Sequence, residues 1–561
     1  MLTRAVLLGF VCILCASAQT FTFLHDKNVN EGAPTIFKPN YFKMAFQKPD
    51  MKIELQPPAK LNDFVVDNKL ELSMRSYLDL VLANNTEIAI SKLSVEVPRN
   101  AIQRQYAIFD PAFFGSFTTT RTQTPSNDAL AGALALTQLQ QPSVFRYTQT
   151  LETGTLYNVQ FTTNKLSSNS SFQFFNPSLT SGFNVNFQQP LLRGRGKYLQ
   201  KLPVTIARSR LRGAEYNFED QLLRQVTNAE LAYWDVVLAR ENVRVQEQAL
   251  VLADTSLKRA QRELELGAIS ALDIYQPQAQ FANFQILLTQ ARFRLQQTED
   301  ILRRFVGADL DPTIRQMPIV LTESITPPAE TPLDKEVLVE RAQKLRPDIK
   351  VTAQNLDVDD LQMQSARNNL KPDLRLTGQY GSTGRGGPFR QRTNVFTEDG
   401  TQSVVTNVLA GGWGDSWSQL FGFNYPVYGF GIQLFLPIRN RAASADYADA
   451  LVSKRLDTLR LRNLQQQVRQ EVLNAISQVE NSRASVELAK VALDFAQKRV
   501  EAEQKKYDLG TITLFFLLDA QNALTQAQSA LVRESVNYRR NLVTLQRMTG
   551  ELLPERGIRV Q

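Results

Sequence analysis

The feature that most constrains the fold is the length of two segments, 214–266 and 441–509, which contain neither glycine nor proline. Because glycine and proline are the strongest helix breakers, their absence predicts two uninterrupted helices. At about 1.5 Å per residue these helices would be roughly 80 and 100 Å long. A helix of that length cannot bury its apolar side in a small globular core, so it must pack lengthwise against other helices.

The second segment carries apolar residues three or four positions apart, a spacing that places them along one side of a helix. They are Leu461, Leu464, Val468, Val472, Ile476 and Val479. A glycine follows each long segment, at Gly267 and Gly510, and another helical pattern follows each glycine. The sequence therefore predicts two long helical hairpins that turn at these glycines.

The chain also contains an internal duplication. Residues 264–281 read LELGAISALDIYQPQAQF, and residues 507–524 read YDLGTITLFFLLDAQNAL. The glycines of the two turns are 243 positions apart, and the same interval separates Gly307 from Gly550. A repeat of this length indicates two copies of one structural unit, each with a helix, strands and a long helical hairpin.

Between the helical segments, apolar and polar residues alternate as in β-strands. The best candidates are segments 113–119, 180–191, 372–380 and 430–438, and a further hairpin is possible at 144–163. Strands of about nine to eleven residues span an outer membrane when tilted. Four strands are too few to close a barrel, and an open edge is unfavourable in lipid, so the pattern predicts a barrel shared by several copies.

A second fold fits the same alternation. The strands could form a soluble sandwich carried on a coiled-coil stalk, as in a structural or adhesive surface protein. This alternative does not explain why both halves of the chain repeat a pair of strands between helices.

The N-terminus has the layout of a secretory signal peptide. Arg4 precedes a short apolar core, and Ala16-Ser17-Ala18 forms a small-residue cleavage site. Both cysteines, Cys12 and Cys15, lie in this segment, so we expect the exported chain to have no disulfide framework.

The composition offers little for catalysis or nucleic-acid binding. The single histidine, His25, precedes the first repeat, and the sequence contains no P-loop, GxSxG or dinucleotide-binding motif. The net charge of +8 comes from Lys and Arg spread among acidic residues, which is typical of a solvated surface. We therefore expect no enzyme activity, no cofactor, no metal site and no nucleic-acid partner.

These patterns divide the chain into six segments, with the first helix expected to start at Glu71. They are a signal peptide at 1–18, an extended N-terminal periplasmic arm at 19–70, a first repeat at 71–310, a proline-rich connector at 311–335, a second repeat at 336–553 and a C-terminal tail at 554–561.

Several short motifs, in this order and duplicated, carry a resemblance to a known family. The strand-to-helix transitions read QQPLLRGRG around Pro190 and FLPIRNRAASADY around Pro437. With the two hairpin turns and the helix ends RRFVG and QRMTG, they resemble the TolC-like outer membrane efflux proteins from about Glu71 to Leu553.

The resemblance implies a mainly α-helical homotrimer with a β-barrel portion. A twelve-stranded barrel would lie in the bacterial outer membrane, and an α-helical barrel of coiled-coil hairpins would continue it across the periplasm. Such a protein is a passive exit duct of a tripartite efflux or type I secretion system. Its expected partners are two further copies of itself, a periplasmic adaptor (membrane fusion) protein, an inner-membrane pump and outer-membrane lipid.

The resemblance also implies that the hairpin tips constrict the entrance of the duct. The acidic candidates are Asp273 and Asp519, which would form rings of like charge that favour cations. Each could instead be a solvated acid that stabilises a helix N-terminus. A basic residue that helps close the tip in the family is replaced here by Ile512, so we expect a partly hydrophobic closure that also involves Phe515 and Phe516, unless these residues serve only in packing between helices.

Overall fold

A computed structural model describes residues 58–126, 133–171, 173–325, 333–392 and 404–558. The predicted signal peptide, most of the N-terminal arm and the last three residues of the C-terminal tail lie outside these ranges. Within them, the architecture is mainly helical with one large and two small β-sheets, which confirms the predicted mixture of helices and strands.

The first half of the chain ends in a long helical hairpin. Its elements are β1 (Val65–Val66), β2 (Lys69–Leu72), α1 (Met74–Asn84), α2 (Thr86–Ser94), α3 (Glu96–Tyr106), β3 (Ala112–Phe117), β4 (Thr120–Pro125), β5 (Ala135–Thr150), β6 (Leu156–Ser168), β7 (Ser178–Pro190), α4 (Lys197–Gln200), α5 (Leu202–Glu265) and α6 (Tyr275–Val306).

The second half repeats this order with fewer strands. Its elements are β8 (Ile319–Leu321), α7 (Lys335–Leu345), α8 (Pro347–Asn369), β9 (Asp373–Gly386), β10 (Phe389–Arg392), β11 (Val405–Leu409), α9 (Trp413–Phe421), β12 (Pro426–Phe435), α10 (Arg441–Asp508), α11 (Leu514–Thr549) and α12 (Leu552–Glu555).

The two long helices occur where the absence of glycine and proline predicts them. Helix α5 has 64 residues and α10 has 68. Helix α5 begins earlier than predicted because Pro203 fits the first helical turn, where its missing N–H is not needed. Gly267 and Gly510, just beyond the two helices, have φ angles of 71° and 73°, so both turns use the left-handed conformation that glycine adopts without strain.

The predicted apolar line of the second hairpin is buried. Val468, Val472, Ile476 and Val479 lie in one core cluster with Tyr538 of α11. These side chains pack between α10 and the helices beside it, so the spacing read from the sequence corresponds to a real contact surface.

A second core brings residues 61–88 and 552–553 together around α5. Tyr233 of α5 packs against Tyr77 with ring centroids 5.5 Å apart, and its hydroxyl donates to the carbonyl of Leu72 over 3.2 Å. Strand β2 pairs in parallel with β8, which lies in the proline-rich connector. Residue 71 therefore belongs to a strand and not to a helix; the helical pattern expected from Glu71 starts at Met74 and is divided into α1, α2 and α3.

The large sheet has more strands than predicted. Its order is β12-β9-β7-β6-β5-β3, and β4 pairs with another stretch of β5. The four predicted strands are present as β3, β7, β9 and β12, and the possible hairpin at 144–163 is a full pair of strands, β5 and β6, of 16 and 13 residues. The prediction of four strands per chain was wrong because this hairpin is inserted in the sheet between β3 and β7.

A buried ion pair lies in the second core, between α5 and the C-terminal segment. Glu230 of α5 is fully buried, and Arg556 donates to both of its carboxylate oxygens over 2.6 and 3.0 Å. We expect Arg556→Ala to leave an unpaired buried charge and to lower the free energy of unfolding by about 3–5 kcal/mol. Thermal and urea unfolding of the purified protein measure this change.

Arg540→Ala is the matched control, since Arg540 pairs with Asp235 over 3.0 Å but both side chains are more than a third exposed. Its effect should be at most about 1 kcal/mol. Equal destabilisation by the two variants would contradict the assignment of Glu230 and Arg556 to the core.

Candidate functional site

The predicted tip residues lie at the two hairpin turns, far along the helices from the sheet. Asp273 is in the turn before α6, where its carboxylate accepts the backbone N–H of Ser270 over 3.2 Å. Asp519 lies on α11 and pairs with Arg499 of α10 over 2.6 Å, with about half of each side chain exposed. Each aspartate is thus engaged within its own hairpin and remains open to solvent.

The apolar candidates form an exposed surface at the tip of the second hairpin. Phe515 and Phe516 are 53% and 50% exposed, and their rings meet edge to face at 5.6 Å. Ile512 is half-buried beside them in sequence. Leu266 and Leu272 of the first hairpin tip are still more exposed. Large apolar side chains that face solvent at both tips indicate a surface that binds another molecule or another copy of the chain.

A polar cluster that was not predicted from the sequence joins the two hairpins. Arg259 of α5 pairs with Asp508 of α10 over 2.7 Å and with Glu263 over 2.8 Å. Tyr507 donates its hydroxyl to Glu263, and the guanidinium of Arg259 lies 4.7 Å from the centre of the Tyr507 ring. We call Arg259, Glu263, Tyr507 and Asp508 the inter-hairpin cluster.

The protonation states of Asp508 and Tyr507 at neutral pH favour the contacts within this cluster. The hydrogen bond from Arg259 holds the pKa of the Asp508 carboxyl below its usual value. Burial and the hydrogen bond with Glu263 raise the pKa of the Tyr507 hydroxyl to about 12. Near pH 7 the carboxylate is therefore charged and the phenol is protonated, as the contacts require.

Amide side chains extend the contact between hairpins away from the tip. Ser256 of α5 donates to the Gln521 side chain over 3.2 Å, and both residues are buried. Gln280 of α6 donates to Asn522 of α11 over 3.1 Å. The repeat places a glutamine near the start of α6 and of α11, at Gln278 and Gln521. The partner of Gln521, Ser256, could be identified only from the packing of the helices.

At the other end of the molecule, the large sheet has one apolar face and one polar face. Residues opposite one another in the strand register share a face. The apolar face carries Phe113, Phe117, Phe145, Tyr147, Tyr157, Val159, Phe161, Phe183, Val185, Phe187, Leu374, Leu376, Tyr380, Tyr428, Phe430, Ile432 and Leu434.

The opposite face is mainly polar, although Phe114 and Phe435 also lie on it. It carries Arg146, Asn158, Gln160, Asn184, Asn186, Gln188, Thr377, Gln379 and Gln433. Within it, Arg146 donates to Gln160 over 3.2 Å and Asn186 to Asn158 over 3.0 Å. Two faces of opposite polarity suit a sheet that separates an apolar from an aqueous phase.

Ion pairs join the start of β9 to the segment that follows β7. Asp373, at the start of β9, accepts from Arg193 over 2.8 Å and from Arg375 over 2.6 Å. Pro190 is the last residue of β7, and Pro437 lies between β12 and α10. The two proline motifs therefore occur at the strand-to-helix transitions, where the structure changes from sheet to hairpin.

No helix in the described ranges is long and apolar enough to cross a membrane. The same ranges contain no group of three or more His, Cys, Asp or Glu side chains placed to hold a metal ion.

Comparison with known proteins supports the resemblance found in the sequence. Residues 338–551 match the family described as outer membrane efflux protein. The outer membrane protein TolC of Vibrio cholerae serotype O1 is 20% identical over 394 residues, which cover 67% of this chain and 82% of that protein. The outer membrane efflux protein BepC of Brucella suis is 22% identical over 59% of this chain, and the match spans 64% of BepC, somewhat less than two thirds.

The fold is also similar to solved structures. The CmeC outer membrane channel of Campylobacter jejuni superposes with a TM-score of 0.59 at 16% sequence identity, and the match covers 93% of this chain and 94% of CmeC. At that identity the likeness concerns the fold. Residues 338–551 thus match the outer membrane efflux protein family, and the fold of the described chain is similar to that of solved outer membrane channels.

Proposed function

We propose that this protein is a passive exit duct that crosses the outer membrane and the periplasm and is gated at its hairpin tips. The observation that carries this proposal is the two-faced sheet, apolar on one side across all six strand positions, joined directly to two long helical hairpins. A sheet of this kind suits lipid on one side and water on the other. The hairpins then extend the aqueous route away from the membrane.

A stalked adhesin remains the alternative, and the exposure of the sheet argues against it. In a sandwich the apolar face would be covered by a second sheet. Here the apolar residues of β12 are exposed, with Phe430 at 83%, and no second sheet covers them within the described residues. Lipid is the environment that accommodates such a face.

The edges of the sheet support assembly from several copies. Strand β12 is at one edge and β3 at the other, and neither has a second partner among the described strands. Backbone groups at an edge in lipid have no water to bond, so each edge must pair with another chain. Three copies would supply eighteen strand positions instead of twelve. Since barrel diameter grows roughly linearly with strand number, the exit would be about 1.5 times wider.

The tips are the proposed contact site for the other components of a tripartite system. Exposed apolar residues at both turns, including Leu266, Leu272, Phe515 and Phe516, give a periplasmic adaptor an apolar surface to bind. An inner-membrane pump would supply the energy, because the duct itself contains no motif for nucleotide binding. The efflux and type I secretion alternatives share this arrangement.

Membrane fractionation combined with planar-bilayer recording tests the proposed function. We expect the protein in the outer-membrane fraction and discrete conductance steps from the purified oligomer. A stalked surface protein would form no pore. Absence of conductance from a protein shown to be folded and oligomeric would overturn the proposed duct.

We expect the inter-hairpin cluster to stabilise the closed state of the tip. Opening the tip requires the second hairpin to move relative to the first, and this movement breaks the contact between Arg259 and Asp508. Each exposed pair contributes little by itself, but three copies of the contact would be lost together. Arg259→Ala should therefore shift the closed-to-open equilibrium towards the open state, measured as a higher open probability in single-channel recordings.

Arg292→Ala is the matched control for this gate. Arg292 forms a similarly exposed pair with Glu247 over 2.9 Å, but this pair joins the two helices of one hairpin. It should leave the open probability unchanged. An equal effect of the two substitutions would show that general loosening of the helices, and not the inter-hairpin cluster, sets the gate.

The cluster also predicts a pH dependence. Arg259 lowers the pKa of the Asp508 carboxyl in the folded protein. The stabilisation from this ion pair is therefore fully present above the carboxyl's unfolded pKa of about 3.9, and it is lost as the pH falls through the lower folded pKa. Open probability should thus rise from about pH 4 downward. Asp508→Asn should be more open at neutral pH and should lose this acid response, and an acid response of equal size in the variant would assign it to other groups.

The tip residues predicted from the sequence give a separate test. We expect Asp519→Asn to reduce cation preference, because a ring of carboxylates attracts cations. We expect Phe516→Ala to raise the closed-state conductance, because it removes half-exposed apolar bulk from the tip. Single-channel recordings measure both effects, and unchanged conductance and selectivity in both variants would overturn the acidic and the hydrophobic constriction together.

A further inference from the structure

A short helix lies against the large sheet at the end farthest from the hairpins. Helix α9 contacts β9 and β7 near the strand ends that are farthest from the hairpins. Ser416 is fully buried, and its hydroxyl lies 2.6 Å from that of Ser181 on β7. Leu420, one helical turn later, is also buried. These residues define the side of α9 that faces the sheet.

The backbones of α9 and β9 approach each other very closely. A Cβ atom added to Gly384 would lie 1.9 Å from the carbonyl oxygen of Ser416, and one added to Gly386 would lie 2.2 Å from that of Gly412. Only glycine on β9 permits this approach. The backbone N–H of Arg385 also donates to the Gln419 side chain over 3.0 Å. Helix α9 is therefore fixed to the sheet.

One flank of α9, beside the side that faces the sheet, is aromatic. Trp417 is 45% exposed, with its ring 6.1 Å from that of Trp413. The aromatic character continues along the chain into β12. We define the aromatic patch as Trp413, Trp417, Phe421, Phe423, Tyr425 and Tyr428. Only one charged residue, Asp415, occurs in segment 411–430, and it accepts the N–H of Gly412 at the start of α9.

The register of the sheet shows which face α9 covers. Gly384 and Gly386 alternate with the same parity as Leu374 and Tyr380, so the helix lies on the apolar face. From Leu374 to Gly384 the strand advances ten residues, about 33 Å along its axis. With the usual tilt this is roughly 25 Å of height, the thickness of the lipid-facing band of a membrane sheet.

We propose that α9 and the aromatic patch form a membrane-interface anchor that contacts the headgroup region of the outer leaflet. The partner is a lipid surface. Trp and Tyr rings prefer this zone because one end is apolar and the other forms hydrogen bonds. The anchor deepens the proposed function and depends on it, since it requires the apolar face of the sheet to contact lipid. It fixes the height of the sheet against forces applied at the hairpin tips.

The chain provides its own spectroscopic probe for this anchor. It has three tryptophans, and the third, Trp234, is buried in the helical core. We would reconstitute the full oligomer in vesicles of phospholipid brominated either near the headgroup or near the bilayer centre. Tryptophan emission should be quenched more strongly by the first lipid than by the second. Trp413→Phe/Trp417→Phe should lose this lipid quenching and retain the emission of Trp234.

Conductance recorded from the same vesicles separates this proposal from the proposed function. A conducting protein whose emission is insensitive to brominated lipid but quenched by aqueous iodide would place α9 in water and overturn the anchor alone. Stronger quenching from the bilayer centre would also overturn it. Failure to insert or conduct would overturn the proposed duct itself. The double variant should conduct like the original chain, because phenylalanine preserves the apolar contacts.

Discussion

A backbone N–H or C=O group in hydrocarbon has no water to bond, and this constraint governs the proposed arrangement of the molecule. One copy offers six adjacent strand positions with two unpaired edges, at β12 and β3. If the apolar face contacts lipid, both edges must be paired, and identical neighbours can pair them head to tail. The proposed ring of strands would place the hairpins in a ring as well, because the transitions at Pro190 and Pro437 connect the sheet to the helices.

The helical end obeys a different physical rule. Each long helix buries one apolar line, and Val468, Val472 and Ile476 lie in such a line. Toward the tips the contacts become polar and exposed, as in the pair of Arg259 with Asp508. Buried apolar packing stabilises the long helices against one another, whereas exposed ion pairs stabilise a contact only weakly. The hairpins therefore separate most easily at the tips, where we propose the gate.

Much of the fold could be predicted because its signals are local. Helix length follows from missing glycine and proline, and the turns at Gly267 and Gly510 follow from one residue each. Strands β5 and β6 were harder to recognise, since they are rich in Gln, Thr and Asn and β5 contains Pro142. The inter-hairpin cluster was not predictable, because Arg259 and Asp508 are brought together only by the packing of two hairpins. The aromatic patch likewise required the register of β9.

We propose that each copy contributes six strand positions to a shared, closed ring. Electron cryomicroscopy of the purified protein in lipid nanodiscs tests it most directly, because the copies and strands can be counted in one map. We expect three copies and eighteen strand positions, with β12 of each copy hydrogen-bonded to β3 of the next. A closed ring of twelve strands, with β5 and β6 outside it, or a single copy with both edges open, would contradict it.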